Sequence, residues 1–131
     1  FLLSAQANVV CMCITTPVTF LEVIDGDSIW VKKEGRKVLV HFSEVDAPEI
    51  NEPGKTLVCP QDQRKARQAR DLILEMLSSA KEVGLIIKEE FSELELRAQV
   101  YADGLSVGQE LLYKYLAVEG WGNWCEAKKS D

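Results

Sequence analysis

Two short acidic stretches hold the residues best suited to chemistry. Asp25-Gly26-Asp27 is followed, nineteen residues after Asp27, by Asp46-Ala47-Pro48-Glu49. Four carboxylates at two strand ends repel one another unless a cation sits among them. Carboxylate and carbonyl oxygens suit a hard divalent cation such as Ca2+. Taken alone, Asp25-Gly26-Asp27 reads as a polar turn, and Asp46-Ala47-Pro48-Glu49 as a loop with a helix cap. Taken together, they make a metal-capable site.

The elements that must position these acids read as a β-rich module. Val18 to Ile24 is β-prone and ends at Asp25-Gly26. Ser28 to Lys33 resumes the extended pattern, Glu34-Gly35 suits a two-residue hairpin turn, and Arg36 to Phe42 returns. Val38 and Val40 fall on one face of that strand, Leu39 and His41 on the other. Asn51 to Pro60 is a loop, and Pro60 stands where a helix opens. Ala66, Ala69, Leu72, Ile73, Met76, Leu77 and Ala80 recur at helical spacing as one apolar stripe. Glu82 to Phe91 and Leu96 to Tyr101 read as two more strands, the second closed by Asp103-Gly104. Ser106 to Gln109 spells a capping box, followed by a helix expected to bury Val107, Leu111, Leu112 and Tyr115. The order βββ-α-ββ-α predicts a mainly β, α+β fold: a five-stranded OB-type Greek-key barrel with two packed helices.

Size and charge narrow the function. With 131 residues, 47% of them hydrophobic, the chain suits one domain with a real core. No apolar run approaches the roughly 20 residues of a membrane-spanning helix, and we expect a monomer. A net charge of −6 opposes sequence-independent binding of nucleic acid, which draws on lysine and arginine. The basic run Arg64 to Arg70 is a local exception and reads as a solvated helix face.

Residues 1–7 end in Ala5-Gln6-Ala7, as the tail of a secretory signal does, and otherwise read as a frayed or strand-forming N-terminus. Residues 8–17 are then an N-terminal extension and 18–131 the domain. Cys11, Cys13, Cys59 and Cys125 are an even set that fits a secreted or periplasmic chain with disulfides. Cys11 and Cys13 are too close to pair comfortably with each other, so each calls for a distant partner. Zinc is the alternative, but the paired spacing and nearby histidines of zinc sites are missing.

Val23 to Ser28, Val45 to Glu49, Val100-Tyr101-Ala102-Asp103-Gly104, Leu111-Leu112 and Leu116-Ala117 together resemble staphylococcal nuclease-like (thermonuclease-like) domains, from about Val18 to Ala117. The resemblance implies an OB barrel and a Ca2+-dependent endonuclease, a hydrolase of DNA or RNA. It implies that Asp27, Asp46 and the Ala47 carbonyl bind the metal, with Asp25 close by. It gives Glu49 the attacking water, and Trp121 a place to stack on a base. Against the resemblance, we expect the family's last helix to be shortened or absent here.

Two departures stand out. The family clamps the phosphate with two arginines. One stands five residues before the aspartate of D-x-P-E, where this chain has His41. The other stands six residues before the tyrosine of Y-A-D-G, where it has Glu95. Arginine offers a permanent bidentate fork; histidine offers less, and glutamate repels phosphate. Arg97, two residues past Glu95 on the same side of a strand, is the best substitute, or else a structural partner of Glu95 or Glu93. The expectation is an attenuated nuclease, or alternatively an inactive OB module that binds nucleic acid or a protein.

Overall fold

A computed structural model describes Val10 and residues 13–43, 45–47 and 63–119. Eight strands and two helices occur among the described residues: β1 (Thr16–Asp25), β2 (Ser28–Lys33), β3 (Arg36–Phe42), β4 (Val45–Asp46), α1 (Gln63–Ser79), β5 (Val83–Ser92), β6 (Glu95–Ala102), β7 (Leu105–Ser106), α2 (Val107–Tyr113) and β8 (Val118–Glu119). The long strands run β3-β2-β1-β5-β6, and β3 also pairs with β6. That last pairing is parallel and closes the sheet into a five-stranded barrel of the OB type.

Alternation decides which side chains enter the barrel. Ile29 and Val31 on β2, Val38, Val40 and Phe42 on β3, and Leu96, Ala98 and Val100 on β6 are all buried. His41, Glu95 and Arg97 lie between these positions and face outward, half-exposed. The helical stripe packs as expected: Ala66, Ala69, Ile73 and Leu77 are buried, with Leu72, Met76 and Ala80 at its margin. α1 lies on β1 and α2 on β6.

Local chemistry sets the turns. Glu34 and Gly35 have φ of 52° and 81°, the left-handed pair that a tight hairpin turn requires. Asp103 and Gly104 repeat the pattern at 50° and 84°. Asp103 also ties the end of α1 to the barrel. Its carboxylate accepts the N–H groups of Lys81 (3.0 and 3.1 Å) and Glu82 (2.8 Å), and its own N–H donates to the Glu82 carbonyl at 2.9 Å. Asp103→Ala leaves those donors to water and keeps a left-handed φ on a residue that disfavours it. We expect a loss of about 1–3 kcal/mol in chemical denaturation, and a smaller loss for Asp103→Asn.

Three expectations need amendment, and a fourth is untested. β1 begins at Thr16, so Thr16 and Pro17 of the expected extension already pair with Leu85 and Gly84. The short strands β4, β7 and β8 were not anticipated. The Pro60 start of α1 lies outside the described residues. Tyr115 is 79% exposed rather than buried, because α2 ends at Tyr113. There Ser106 caps the start by accepting the Gln109 N–H. At the other end, Leu116 N–H donates to Leu111 O and Tyr115 N–H to Leu112 O, with Tyr115 at φ 59°. This is a Schellman stop with tyrosine where glycine is usual. It sends Leu116 and Ala117 into the core and leads to β8.

Cys13 is disulfide-bonded. Cys11, Cys59 and Cys125 lie outside the described residues, and so does its partner. No helix among the described residues is long and apolar enough to cross a membrane.

Candidate functional site

The first acidic stretch is the β1–β2 turn. Asp25 Oδ1 accepts the Asp27 N–H at 3.2 Å and the Ser28 hydroxyl at 2.6 Å, so Asp25 shapes the turn. Asp27 is held from two further sides. Its carbonyl accepts the Phe42 N–H from the end of β3 at 2.8 Å, and its Oδ2 accepts the Ala47 N–H at 3.2 Å. Asp46 is set by β4 pairing with β8, where it stands opposite Val118. The fold therefore brings Asp25, Asp27, Asp46 and Ala47 to one end of the barrel.

The electrostatics there are unfavourable for bare carboxylates. Burial, then repulsion from Asp25 and a hydrogen bond with it, push the Asp27 carboxyl up to about 9, with Asp46 adding to the rise. The Ala47 N–H opposes this. Asp46 is 7% exposed, and its Oδ2 is buried with no hydrogen-bond partner among the described residues. A buried oxygen left in this way is costly unless a proton or a cation satisfies it. All the available donors are hard oxygens, which fits Ca2+ in kind. Among the described residues, no three or more of His, Cys, Asp and Glu gather closely enough to hold a metal. Asp27 and Asp46 are the two carboxylates left at this barrel end, since Asp25 is engaged in the turn.

The two replaced clamp positions meet each other. His41 Nε2 lies 2.8 Å from Glu95 Oε2, and the His41 ring stands edge-on to Phe91 with centroids 6.1 Å apart. The parallel β3–β6 register makes this contact, with Leu39 opposite Glu95 and His41 opposite Arg97. Arg97 does share the outward side of β6 with Glu95, as its spacing suggested. There Glu89 accepts from its Nε at 3.2 Å and from its Nη2 at 3.0 Å. A register shift between Ile87 and Glu89 aligns Glu89 with Arg97, and local sequence spacing does not reveal it. Glu93 instead meets Arg36 at 3.2 Å.

Glu49 and Trp121 lie outside the described residues. Tyr113, which the sequence reading did not single out, and Tyr115, which it expected to be buried, are 67% and 79% exposed at the end of α2, just before the strand that sets Asp46. The available signal was two aromatics at the end of the α2 apolar pattern. Neither the family models nor the curated proteins include a match to this chain.

Proposed function

We propose that this chain is a staphylococcal nuclease-like domain: a Ca2+-dependent phosphodiester hydrolase of DNA or RNA, attenuated at its phosphate clamp. One observation supports the reading most. Asp27 and Asp46, chosen from two motifs nineteen residues apart, meet at one barrel end through the Ala47 N–H bond to Asp27. Asp25 holds the turn, and Asp27, Asp46 and the Ala47 carbonyl would hold the ion. A Ca2+ held there would offset phosphate charge and polarise a non-bridging oxygen. Glu49 is the carboxylate that aligns or deprotonates water for in-line attack. His41 and Glu95 offer the phosphate a single, already engaged ring and a negative charge. The disulfide at Cys13 supports a secreted or periplasmic setting.

The His41–Glu95 contact favours a second reading, an OB module that binds nucleic acid without cutting it. The test is cleavage of single-stranded DNA and RNA at high protein concentration, with Ca2+ or with chelator. The nuclease reading expects slow cleavage that chelator, Asp27→Ala and Glu49→Gln each abolish. Cleavage that survives chelator overturns it. No cleavage, with binding retained, establishes the module instead.

A further inference from the structure

The β2–β3 hairpin carries a basic cluster, in which Lys32 and Lys37 share the outward side with Trp30, Leu39 and His41, while Lys33 and Arg36 alternate to the side of Val31 and Val38. Lys32, Lys33, Arg36 and Lys37 fall within six residues of a chain whose net charge is −6. The register sets like charges directly opposite one another twice, Lys32 against Lys37 and Lys33 against Arg36. Such pairs destabilise an antiparallel ladder. Lys33 and Arg36 are relieved by Glu34 at 3.4 Å and Glu93 at 3.2 Å. Lys32 and Lys37 have no carboxylate partner among the described residues; the Lys37 ammonium lies 4.5 Å from the centre of the Trp30 ring.

Trp30 stands on the same face, one step along, opposite Leu39 on β3 and Glu22 on β1. One step further, Ser28 faces His41, beside the Asp25–Asp27 turn. A continuous row thus runs from Lys32 and Lys37, past Trp30, to the carboxylate end. Lys37 and His41 are four residues apart on β3, about 13 Å along an extended strand.

We propose that this row is a track for single-stranded nucleic acid. Lys32 and Lys37 take backbone phosphates, and Trp30 offers a ring on which a base stacks in place of the Lys37 ammonium. Charge complementarity selects the occupant: an unrelieved lysine pair beside an aromatic ring fits a phosphate chain carrying π-faces. The row also supplies the cationic grip that His41 and Glu95 do not, one strand length away from the acids. The ligand's identity rests on the nucleic-acid reading above; the surface does not depend on turnover.

The experiment is fluorescence anisotropy of a short labelled oligothymidine, titrated with the full chain in chelator at several salt concentrations. Chelator separates binding from cleavage, so failure here leaves the metal-dependent cleavage test to judge the nuclease reading. Wild type should bind, with affinity falling as salt rises. Lys32→Gln with Lys37→Gln should weaken binding roughly tenfold and make the log–log salt slope shallower by about 1.4, the value for two lost phosphate contacts on a single strand. The same variant should melt no lower than wild type, because it removes a repulsive pair. Trp30→Leu should weaken binding about 5- to 100-fold, and Trp30→Phe should restore much of it. The proposal is overturned if wild type fails to bind at low salt, if the double lysine variant binds like wild type, or if anionic vesicles bind and the oligonucleotide does not.

Discussion

Replacing His41 and Glu95 together with arginine should raise Ca2+-dependent cleavage of single-stranded DNA at least about 10²-fold over the parent chain, and neither replacement alone should do so. One well-placed donor to a developing oxyanion is worth about 10²–10³ in rate, and an arginine on a transferring phosphoryl group about 10³–10⁵. The single variants fall short because the two positions touch. His41 Nε2 and Glu95 Oε2 are 2.8 Å apart, so an arginine at 41 alone meets the Glu95 carboxylate and spends its fork there. An arginine at 95 alone removes the repelling charge but leaves histidine at the first position. The cycle should therefore be strongly non-additive, as expected for residues in contact. The measurement is kcat/KM for the parent, both singles and the double at saturating Ca2+. A double variant no faster than the parent would place the deficit outside the clamp and remove the main argument for attenuation.

That coupling shows what the sequence could and could not disclose. His41 and Glu95 looked like two independent departures from a family pattern. They become one contact only through the parallel β3–β6 pairing, which joins segments far apart in the chain and leaves no trace in local periodicity. The alternation in β2 and β3 and the apolar stripe of α1 were legible, because burial on one face imposes a period. Glu34-Gly35 and Asp103-Gly104 were legible because each tight turn places a glycine at positive φ. β4 and β8 were not, since two residues carry no period, yet their pairing sets Asp46. Tyr115 continued the apolar spacing of α2 from Leu111, and no glycine marked the stop. The carboxylates of the site were legible as motifs. Their electrostatic state was not, because it depends on burial and on how closely Asp25 and Asp46 approach Asp27.

That state carries the second large prediction. Asp27 has an ordinary value of 3.8 and is pushed up to about 9 in the fold, first by burial and then by Asp25. Between these values the folded chain holds a proton that the unfolded chain has released. Folded molecules bind more protons there, so stability falls as pH rises through this window. The contribution is complete below about pH 4 and lost by about pH 9. Asp27→Asn keeps an acceptor for the Ala47 N–H and removes the charge. It should be more stable than the parent at pH 8, on the order of 2–3 kcal/mol for this partly sheltered group, and its stability should vary less between pH 4 and 9. Ca2+ should have the same effect on the parent, because a cation between Asp27 and Asp46 offsets the repulsion and gives the Asp46 Oδ2 a partner. The Asn variant should respond weakly to Ca2+. Urea denaturation across pH, with and without Ca2+, reads all of these effects. If, in chelator, Asp27→Asn is less stable than the parent at pH 8 and keeps the same pH slope, the Asp27 carboxyl is not raised in the fold; if Ca2+ stabilises parent and variant equally, the metal-centre reading fails.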